Sequence, residues 1–205
     1  IIIDKKSTDN TLQIVNKYAD KLTLVSEMDA GIYDAMNKGI AMASGELIGL
    51  LNSDDWYEKD AVEIMVNTYL QQPEIAIFHG LLRYIDLEKK IDKIIGQRLT
   101  HLKNGMIAHP TCFVHKRVYQ TITFDQSYRS SADYDFMIRA EQNGFQFYFV
   151  EKLIANFRTG GISSSFAAIK ETLVIQRKYK LINGVEKAIQ LVYFLIKYGN
   201  RRGRV

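Results

Sequence analysis

The chain has 205 residues, enough for one sizeable globular core. Hydrophobic residues make up 47% of it and charged residues 24%, a balance that excludes a predominantly disordered protein. The net charge of +4 permits an anionic ligand or a membrane surface but gives no indication of a nucleic-acid partner.

Cysteine content and apolar runs bear on where the protein works. Cys112 is the single cysteine, which excludes an internal disulfide framework and is typical of a reducing cytoplasm. No apolar stretch approaches the roughly 20 residues that a membrane-spanning helix needs. The sequence opens without Met inside the apolar run Ile1–Ile3, so we expect a further segment upstream in the natural protein.

Strand and helix patterns alternate over the first eighty residues. Short apolar runs typical of buried strands occupy residues 1–3, 22–25, 47–51 and 75–78. Between them apolar residues recur at helical spacing, as at Ile32, Met36 and Ile40, before a C-cap glycine, Gly45. This alternation predicts a parallel α/β sheet with helices on its faces and ligands at the carboxyl ends of the strands.

The second half of the chain has a less regular pattern. Residues 79–102 are strand-like and charged. A helix is predicted from Asp133 to Gly144, followed by two strands at 145–150 and 153–157 and by a Gly160-Gly161 loop. From Phe166 onward the pattern predicts two basic amphipathic helices, interrupted at Asn183-Gly184.

Polar residues gather where the third predicted strand ends, at Asn52-Ser53-Asp54-Asp55. Oxygen ligands of this kind suit Mg²⁺ or Mn²⁺, which can bridge the phosphates of a nucleotide. A strand-end turn with a helix cap explains the same residues equally well. Asp4, at the tip of the first strand, has the same two interpretations: a turn residue, or an acceptor of hydrogen bonds from a base or ribose.

Two helix starts carry further polar clusters. Gly31 opens a predicted helix, and an ordinary amphipathic helix explains its apolar positions. It does not explain Asp34, Asn37 and Lys38, which add polar groups near a helix terminus that favours anions. Asp133, Tyr134 and Asp135 lie in the first turn of a later helix. The acids there either stabilise the helix dipole or include a general base. His109 is either structural, a substrate contact or a further metal ligand.

Five motifs in this order resemble the family 2 glycosyltransferases. They are Ile-Ile-Asp-x-x-Ser-Thr-Asp at 2–9, Gly-Ile-Tyr-Asp-Ala-Met-Asn-Lys-Gly at 31–39, Gly-Glu-Leu-Ile-Gly-Leu-Leu-Asn-Ser-Asp-Asp at 45–55, Ala-Asp-Tyr-Asp-Phe-Met-Ile-Arg at 132–139 and Gly-Gly-Ile-Ser at 160–163. The resemblance implies a GT-A fold, a Rossmann-like mixed sheet with helices on both faces. It also implies a glycosyltransferase domain over 1–165, with a nucleotide-sugar half at 1–100 and an acceptor half at 101–165. The C-terminal basic amphipathic helices over 166–205 fall outside the resemblance.

The resemblance also implies roles for individual residues. Asp133 would be the catalytic base of an inverting hexosyl transfer, and Asp54 would bind Mn²⁺ or Mg²⁺. The donor would be a nucleotide-diphosphate sugar, and the family favours a UDP-sugar. It would contact a group of polar residues: Asp4, Asp34, Asn37, Lys38, Asn52, Ser53 and Asp55. The acceptor or a lid over it would involve a second group: His109, Tyr134, Asp135, Gly160 and Gly161.

Several positions depart from the family pattern. Asn52 replaces the first Asp of the metal motif, Ala132 replaces a Glu beside the base, and Lys5-Lys6 replaces glycines after Asp4. The family's first strand, with its nucleotide loop, has no counterpart in the sequence. These departures keep two alternatives open: a nucleotidyltransferase of similar fold, which would release pyrophosphate, and a catalytically silent nucleotide-sugar-binding module.

The C-terminal region bears on whether the enzyme works at a membrane surface. An apolar stretch at 191–196 precedes Arg201, Arg202 and Arg204, which suits an anionic membrane surface, although a helix packed on the core explains it too. We therefore expect a cytoplasmic enzyme, peripheral on the inner face of the membrane, with a saccharide or lipid-linked saccharide acceptor.

Overall fold

The computed structural model describes residues 1–88, 90–96, 98, 102, 106–159 and 166–184. The strands are β1 (Ile2–Asp4), β2 (Leu24–Ser26), β3 (Leu47–Gly49), β4 (Trp56–Tyr57), β5 (Ile77–Asp86), β6 (Ile91–Ile95), β7 (Phe113–His115) and β8 (Phe147–Arg158). The helices are α1 (Thr11–Val15), α2 (Ile32–Met42), α3 (Ala61–Gln71), α4 (Lys116–Tyr119), α5 (Ala132–Gln142) and α6 (Phe166–Lys178). Short 3₁₀ turns cover Asn16–Tyr18 and His109–Thr111.

The strands form two sheets. β1 and β2 pair in parallel and form a sheet of their own. The second sheet has the order β3-β7-β5-β8-β4, with β6 attached to β5. Within it β5 and β8 are parallel and the other pairs are antiparallel. The predicted mixed α/β class is therefore confirmed, but the sheet is not the parallel one that the first eighty residues suggest, because β7 comes from the second half and lies between β3 and β5.

β8 corrects the prediction of two strands at 145–150 and 153–157. It is one strand, and its pairing with β5 shifts register twice, between Gly80 and Leu81 and between Leu81 and Leu82. Gly80 allows this bulge to pack closely. A Cβ there would lie 2.5 Å from a side-chain carbon of Ile154 and 2.8 Å from the carbonyl oxygen of Lys152.

Helices cover both faces of the larger sheet, as the GT-A resemblance implies. Neighbouring residues of one strand point to opposite faces, so Ile77 and Phe78 of β5 enter different core clusters. The first cluster includes Phe136 and Met137 of α5 and Ile175 of α6. The second contains residues of α3, including Met65, which is fully buried. Ile175 is also fully buried, so α6 packs on the first of these two clusters.

The described residues contain no helix with the length and apolar character needed to cross a bilayer. Of the two basic helices predicted after Phe166, the first is α6. The second, together with the apolar stretch at 191–196, lies outside the described residues.

Candidate active site

A cavity of about 580 Å³ opens where several chain segments converge. β1 and the end of β3 supply apolar residues to its wall, and α2 supplies one side of it. Its polar lining comes from the loop after β3, the 3₁₀ turn and the start of α5. These polar residues are Asn52, Ser53, Asp54, His109, Arg129, Ser130 and Asp133. The structure thus brings the two acids implied as metal ligand and base, Asp54 and Asp133, into one cavity.

Neighbouring acids after β3 take different positions. Asp54 is exposed and lines the cavity. Asp55 is buried and accepts hydrogen bonds from the backbone N–H of Arg158, at 3.1 Å, and the side-chain amide of Asn52, at 3.4 Å. Burial raises the pKa of the Asp55 carboxyl. Asp55 therefore fastens the loop to β8, and its implied donor contact stays a prediction.

The loop after β3 fits a metal ion that arrives with its ligand. No three His, Cys, Asp or Glu side chains are grouped to hold a metal within the part of the chain that is described. Mg²⁺, however, is commonly bound by one or two carboxylates, with substrate phosphates and water completing its coordination. Asp54, a single carboxylate facing an open cavity, matches that donor set.

Asp133 lies at the start of α5 and is partly buried. Its Oδ1 accepts two hydrogen bonds, from the Tyr33 hydroxyl at 3.1 Å and from the backbone N–H of Tyr134 at 2.9 Å. Burial raises the pKa of the Asp133 carboxyl above its ordinary value, and the nearby His109 partly opposes that increase. A carboxylate with a raised pKa, lining a cavity, is a candidate general base.

His109 forms the wall next to Asp133. Its ring is 7% exposed and meets the Phe124 ring edge-on at 5.6 Å between centroids. Burial lowers the pKa of the His109 imidazole, and the nearby Asp133 carboxylate partly opposes that decrease. The implied acceptor role of His109 agrees with this place in the cavity and stays a prediction.

Arg129 was not anticipated from the sequence. It is the one Lys or Arg lining this cavity within the described residues, and its guanidinium makes no ion pair with another described side chain. Glu171 of α6 fixes its backbone, because the carboxylate accepts hydrogen bonds from the N–H groups of Arg129 and Ser130, both at 2.8 Å. Through Glu171, α6 thereby fixes the backbone of a cationic residue that lines the same cavity as Asp54 and Asp133.

Asp4 lies at the tip of β1, outside the lining of the cavity. Its carboxylate accepts hydrogen bonds from the Ser26 hydroxyl at 2.6 Å, from the Ser7 backbone N–H at 3.0 Å and from the Ser7 hydroxyl. The Ser26 hydrogen bond is the main cause of a lowered pKa at Asp4. These bonds explain Asp4 as a turn residue, and its contact with a nucleotide base stays a prediction.

The polar residues of α2 make contacts that fix that helix, and the donor contacts implied for Asp34, Asn37 and Lys38 stay predictions. α2 begins after Gly31, whose φ of +138° favours glycine. Asp34 accepts a hydrogen bond from the Ala30 N–H at 2.9 Å and lines a second cavity of about 500 Å³. Asn37 exchanges two hydrogen bonds with the backbone of Phe124. Lys38 pairs with Glu27 and Asp34 at 2.8 and 3.3 Å and, like Asn37, lines neither cavity.

Tyr134 and Asp135 were expected near the acceptor, but neither lines the 580 Å³ or the 500 Å³ cavity. The Tyr134 hydroxyl donates to the carbonyl of Leu102 at 3.2 Å. Asp135 is fully buried and accepts hydrogen bonds from the Arg139 guanidinium, from Lys178 at the end of α6 and from the hydroxyl of the next residue, Tyr179. The structure gives both residues a packing role. Gly160 and Gly161 lie outside the described residues.

We expect Asp135→Asn to destabilise the fold rather than impair chemistry directly. The change removes the negative charge that Arg139 and Lys178 share, at 2.6 and 3.1 Å. A hydrogen bond to a charged group contributes about 1.5–3 kcal/mol, so urea unfolding should show a loss of that size. Asp92→Asn is the matched control because it breaks an exposed pair with Arg83, which solvent screens, so it should leave the unfolding free energy near wild type. Equal losses in both variants would contradict the packing role.

Residues 1–176 match glycosyl transferase family 2, so the chain belongs to that family. It is 28% identical over 188 residues to the hyaluronan synthase of Pasteurella multocida, covering 86% of this chain and 18% of that protein. It is 27% identical over 206 residues to the PGL/p-HBAD biosynthesis glycosyltransferase of Mycobacterium bovis, covering 96% and 77%. The chain thus spans about a fifth of the length of the first relative and most of the second.

Solved structures share the fold. TarS residues 1–349 from S. aureus, in complex with UDP-GlcNAc, has a TM-score of 0.63 at 18% identity, over 96% of this chain and 62% of that one. The mannosyltransferase PcManGT from Pyrobaculum calidifontis, in complex with GDP-Man and Mn²⁺, has a TM-score of 0.64 at 16% identity, over 88% and 54%. The fold is therefore that of the GT-A glycosyltransferases.

Proposed function

We propose that this glycosyltransferase is inverting and metal-dependent, and that it moves a hexose from a UDP-sugar to a hydroxyl of a saccharide or lipid-linked saccharide. The observation that carries the proposal is the meeting of Asp54 and Asp133 in one cavity, with Asp133 held by Tyr33 and beside His109. In the proposed division, residues 1–100 bind the donor, and residues 101–165 contribute the base and bind the acceptor. Glu171 of α6 fixes the backbone of Arg129.

The reaction is a single displacement at the anomeric carbon of the donor. Asp133 takes the proton of the acceptor hydroxyl while the acceptor oxygen forms a bond to that carbon. The bond from the anomeric carbon to the diphosphate oxygen breaks on the opposite side, and the diphosphate leaves with the electron pair. Because the new bond forms opposite the old one, the configuration inverts.

The leaving diphosphate accumulates negative charge, which the cavity must balance. Asp54, with Asn52 and Ser53 beside it, would hold Mn²⁺ or Mg²⁺, and that ion would act as a Lewis acid toward the diphosphate. Arg129 adds a cation from the loop before α5. In this scheme the metal and Arg129 balance the diphosphate, and Asp133 acts on the acceptor. Its Oδ1 keeps its hydrogen bonds to the Tyr33 hydroxyl and the Tyr134 N–H.

Similar proteins support the choice of donor and acceptor. The TarS complex contains UDP-GlcNAc, and the chain is similar to a hyaluronan synthase, whose name specifies a polysaccharide product. We propose a cytoplasmic site of action at the inner membrane face, supported by the arginines after the apolar stretch at 191–196.

The proposal is tested by product release. The wild-type chain is incubated with Mn²⁺, a panel of UDP-, GDP-, dTDP- and CDP-sugars and a set of oligosaccharide acceptors, and nucleoside diphosphate and pyrophosphate are quantified. Release of one nucleoside diphosphate, increased by an acceptor, supports glycosyl transfer. Pyrophosphate as the product would indicate a nucleotidyltransferase. Binding of a nucleotide sugar with no turnover would indicate a silent module.

A further inference from the structure

The two oxygens of the Asp133 carboxylate are in different environments. Oδ1 accepts hydrogen bonds from the Tyr33 hydroxyl, at 3.1 Å, and from the Tyr134 backbone N–H, at 2.9 Å. Oδ2 accepts neither of these two hydrogen bonds. A carboxylate oxygen that already accepts two hydrogen bonds is a poorer proton acceptor than the partner oxygen outside those bonds. The asymmetry makes Oδ2 the more basic oxygen.

Tyr33 is well fixed for this contact. It is 6% exposed, and its ring packs against Phe124 at 5.5 Å between centroids. Asn37, one turn along α2, makes two hydrogen bonds with the Phe124 backbone. The hydroxyl of Tyr33 therefore approaches Asp133 from a helix tied to the loop that precedes α5, and the pair joins segments 100 residues apart in sequence.

We propose that Tyr33 is a positioning residue for the base: its hydroxyl holds Oδ1 of Asp133, which leaves Oδ2 to take the proton of the acceptor hydroxyl. This inference rests on the proposed glycosyl transfer and adds a residue to it. Tyr33 touches neither the donor nor the proton in this scheme. It sets the orientation of the carboxylate and the pH range in which the carboxylate is ionised.

Several titratable and charged groups face Asp133. Tyr33 approaches from α2, His109 and Cys112 from the 3₁₀ turn and its end, and Arg129 and Asp54 share the cavity. Burial raises the pKa of the carboxyl, while His109, the Tyr134 N–H and the Tyr33 hydroxyl lower it. Loss of the Tyr33 hydroxyl removes one group that favours the ionised form, so the pKa of Asp133 should rise.

The test compares Tyr33→Phe with Tyr119→Phe. Both changes remove a buried hydroxyl from a ring that packs on Phe124, but the Tyr119 hydroxyl has no hydrogen-bond partner among the described residues. The Asp133 carboxyl is titrated by ¹³C NMR with labelled aspartate, its signal being assigned from its absence in Asp133→Asn. Tyr33→Phe should raise the pKa of Asp133, and Tyr119→Phe should leave it at the wild-type value.

Kinetics give a second readout. In Tyr33→Phe the acid limb of the kcat/KM profile should move to higher pH, with about a tenfold loss on that limb, the effect of one hydrogen bond to a carboxylate. KM for the donor should stay within about twofold. An Asp133 pKa equal to wild type in Tyr33→Phe, or raised equally by Tyr119→Phe, overturns the positioning role. A wild-type chain that releases no nucleoside diphosphate overturns the proposed function instead, and the NMR titration then still reports whether Tyr33 holds Asp133.

Discussion

Asp133→Asn should lower kcat for sugar transfer by about 10²–10⁴-fold, the range that a positioned general base contributes. The side-chain amide cannot take a proton from the acceptor hydroxyl. Its oxygen can still accept the hydrogen bonds from Tyr33 and the Tyr134 N–H, so the local structure should be kept. The measurement is kcat together with the Kd of the donor nucleotide, which should not change.

The control for this prediction is Asp20→Asn, because Asp20 is an exposed acid in the turn before β2 and lines neither cavity. That variant should transfer sugar at the wild-type rate. Normal transfer by Asp133→Asn would show that another group removes the proton. A matching loss of nucleotide affinity would instead show that Asp133 belongs to the donor side of the cavity.

Asp54→Asn should lower kcat by about 10²–10³-fold and weaken the response to Mn²⁺. A metal ion supplies several kcal/mol of charge stabilisation in the transition state, and each 1.36 kcal/mol corresponds to a tenfold change in rate. In the loop after β3, the Asp54 carboxylate lines the cavity, whereas the Asp55 carboxylate accepts a hydrogen bond from the Arg158 backbone N–H. The measurement is kcat as a function of Mn²⁺ concentration.

The adjacent acid provides the control. Asp55→Asn alters the attachment of the loop to β8 but leaves the Asp54 carboxylate in place, so the Mn²⁺ concentration for half-maximal rate should stay near wild type. If Asp55→Asn abolished the metal response and Asp54→Asn did not, the roles assigned to the two acids would have to be exchanged.

The sequence predicts regular elements well where they carry their own periodicity. α2 follows from apolar spacing, the short strands β1, β2 and β3 follow from apolar runs, and the helix starting near Asp133 is α5. β4 and β7 are two and three residues long and exist through pairing with β8, β3 and β5, so their local sequence gives little signal. The bulge that joins two predicted strands into β8 likewise depends on Gly80 of a neighbouring strand.

Some residues of the candidate site can likewise be predicted from the sequence, and others cannot. Asp54 and Asp133 lie in motifs, and both line the cavity. Asp135, two residues after Asp133, must face another direction on the helix, but only the packing of α6 decides which of the two is buried. The roles of Tyr33 and Arg129 depend on contacts between distant segments, namely the Tyr33–Asp133 hydrogen bond and the Glu171 carboxylate. A single sequence carries no local signal for such pairs.

Thermal unfolding tests whether this cavity binds a nucleotide diphosphate together with a divalent metal. The chain is unfolded with UDP, GDP, dTDP or CDP, each with and without Mn²⁺, alongside Asp54→Asn. We predict that one nucleotide, UDP, stabilises the wild type by about 2.7 kcal/mol at 100 times its Kd, only with Mn²⁺ present, and that Asp54→Asn loses this effect. If no nucleotide stabilised the chain with Mn²⁺, or if Asp54→Asn showed an equal effect, the cavity would not be a nucleotide site with a metal bound by Asp54.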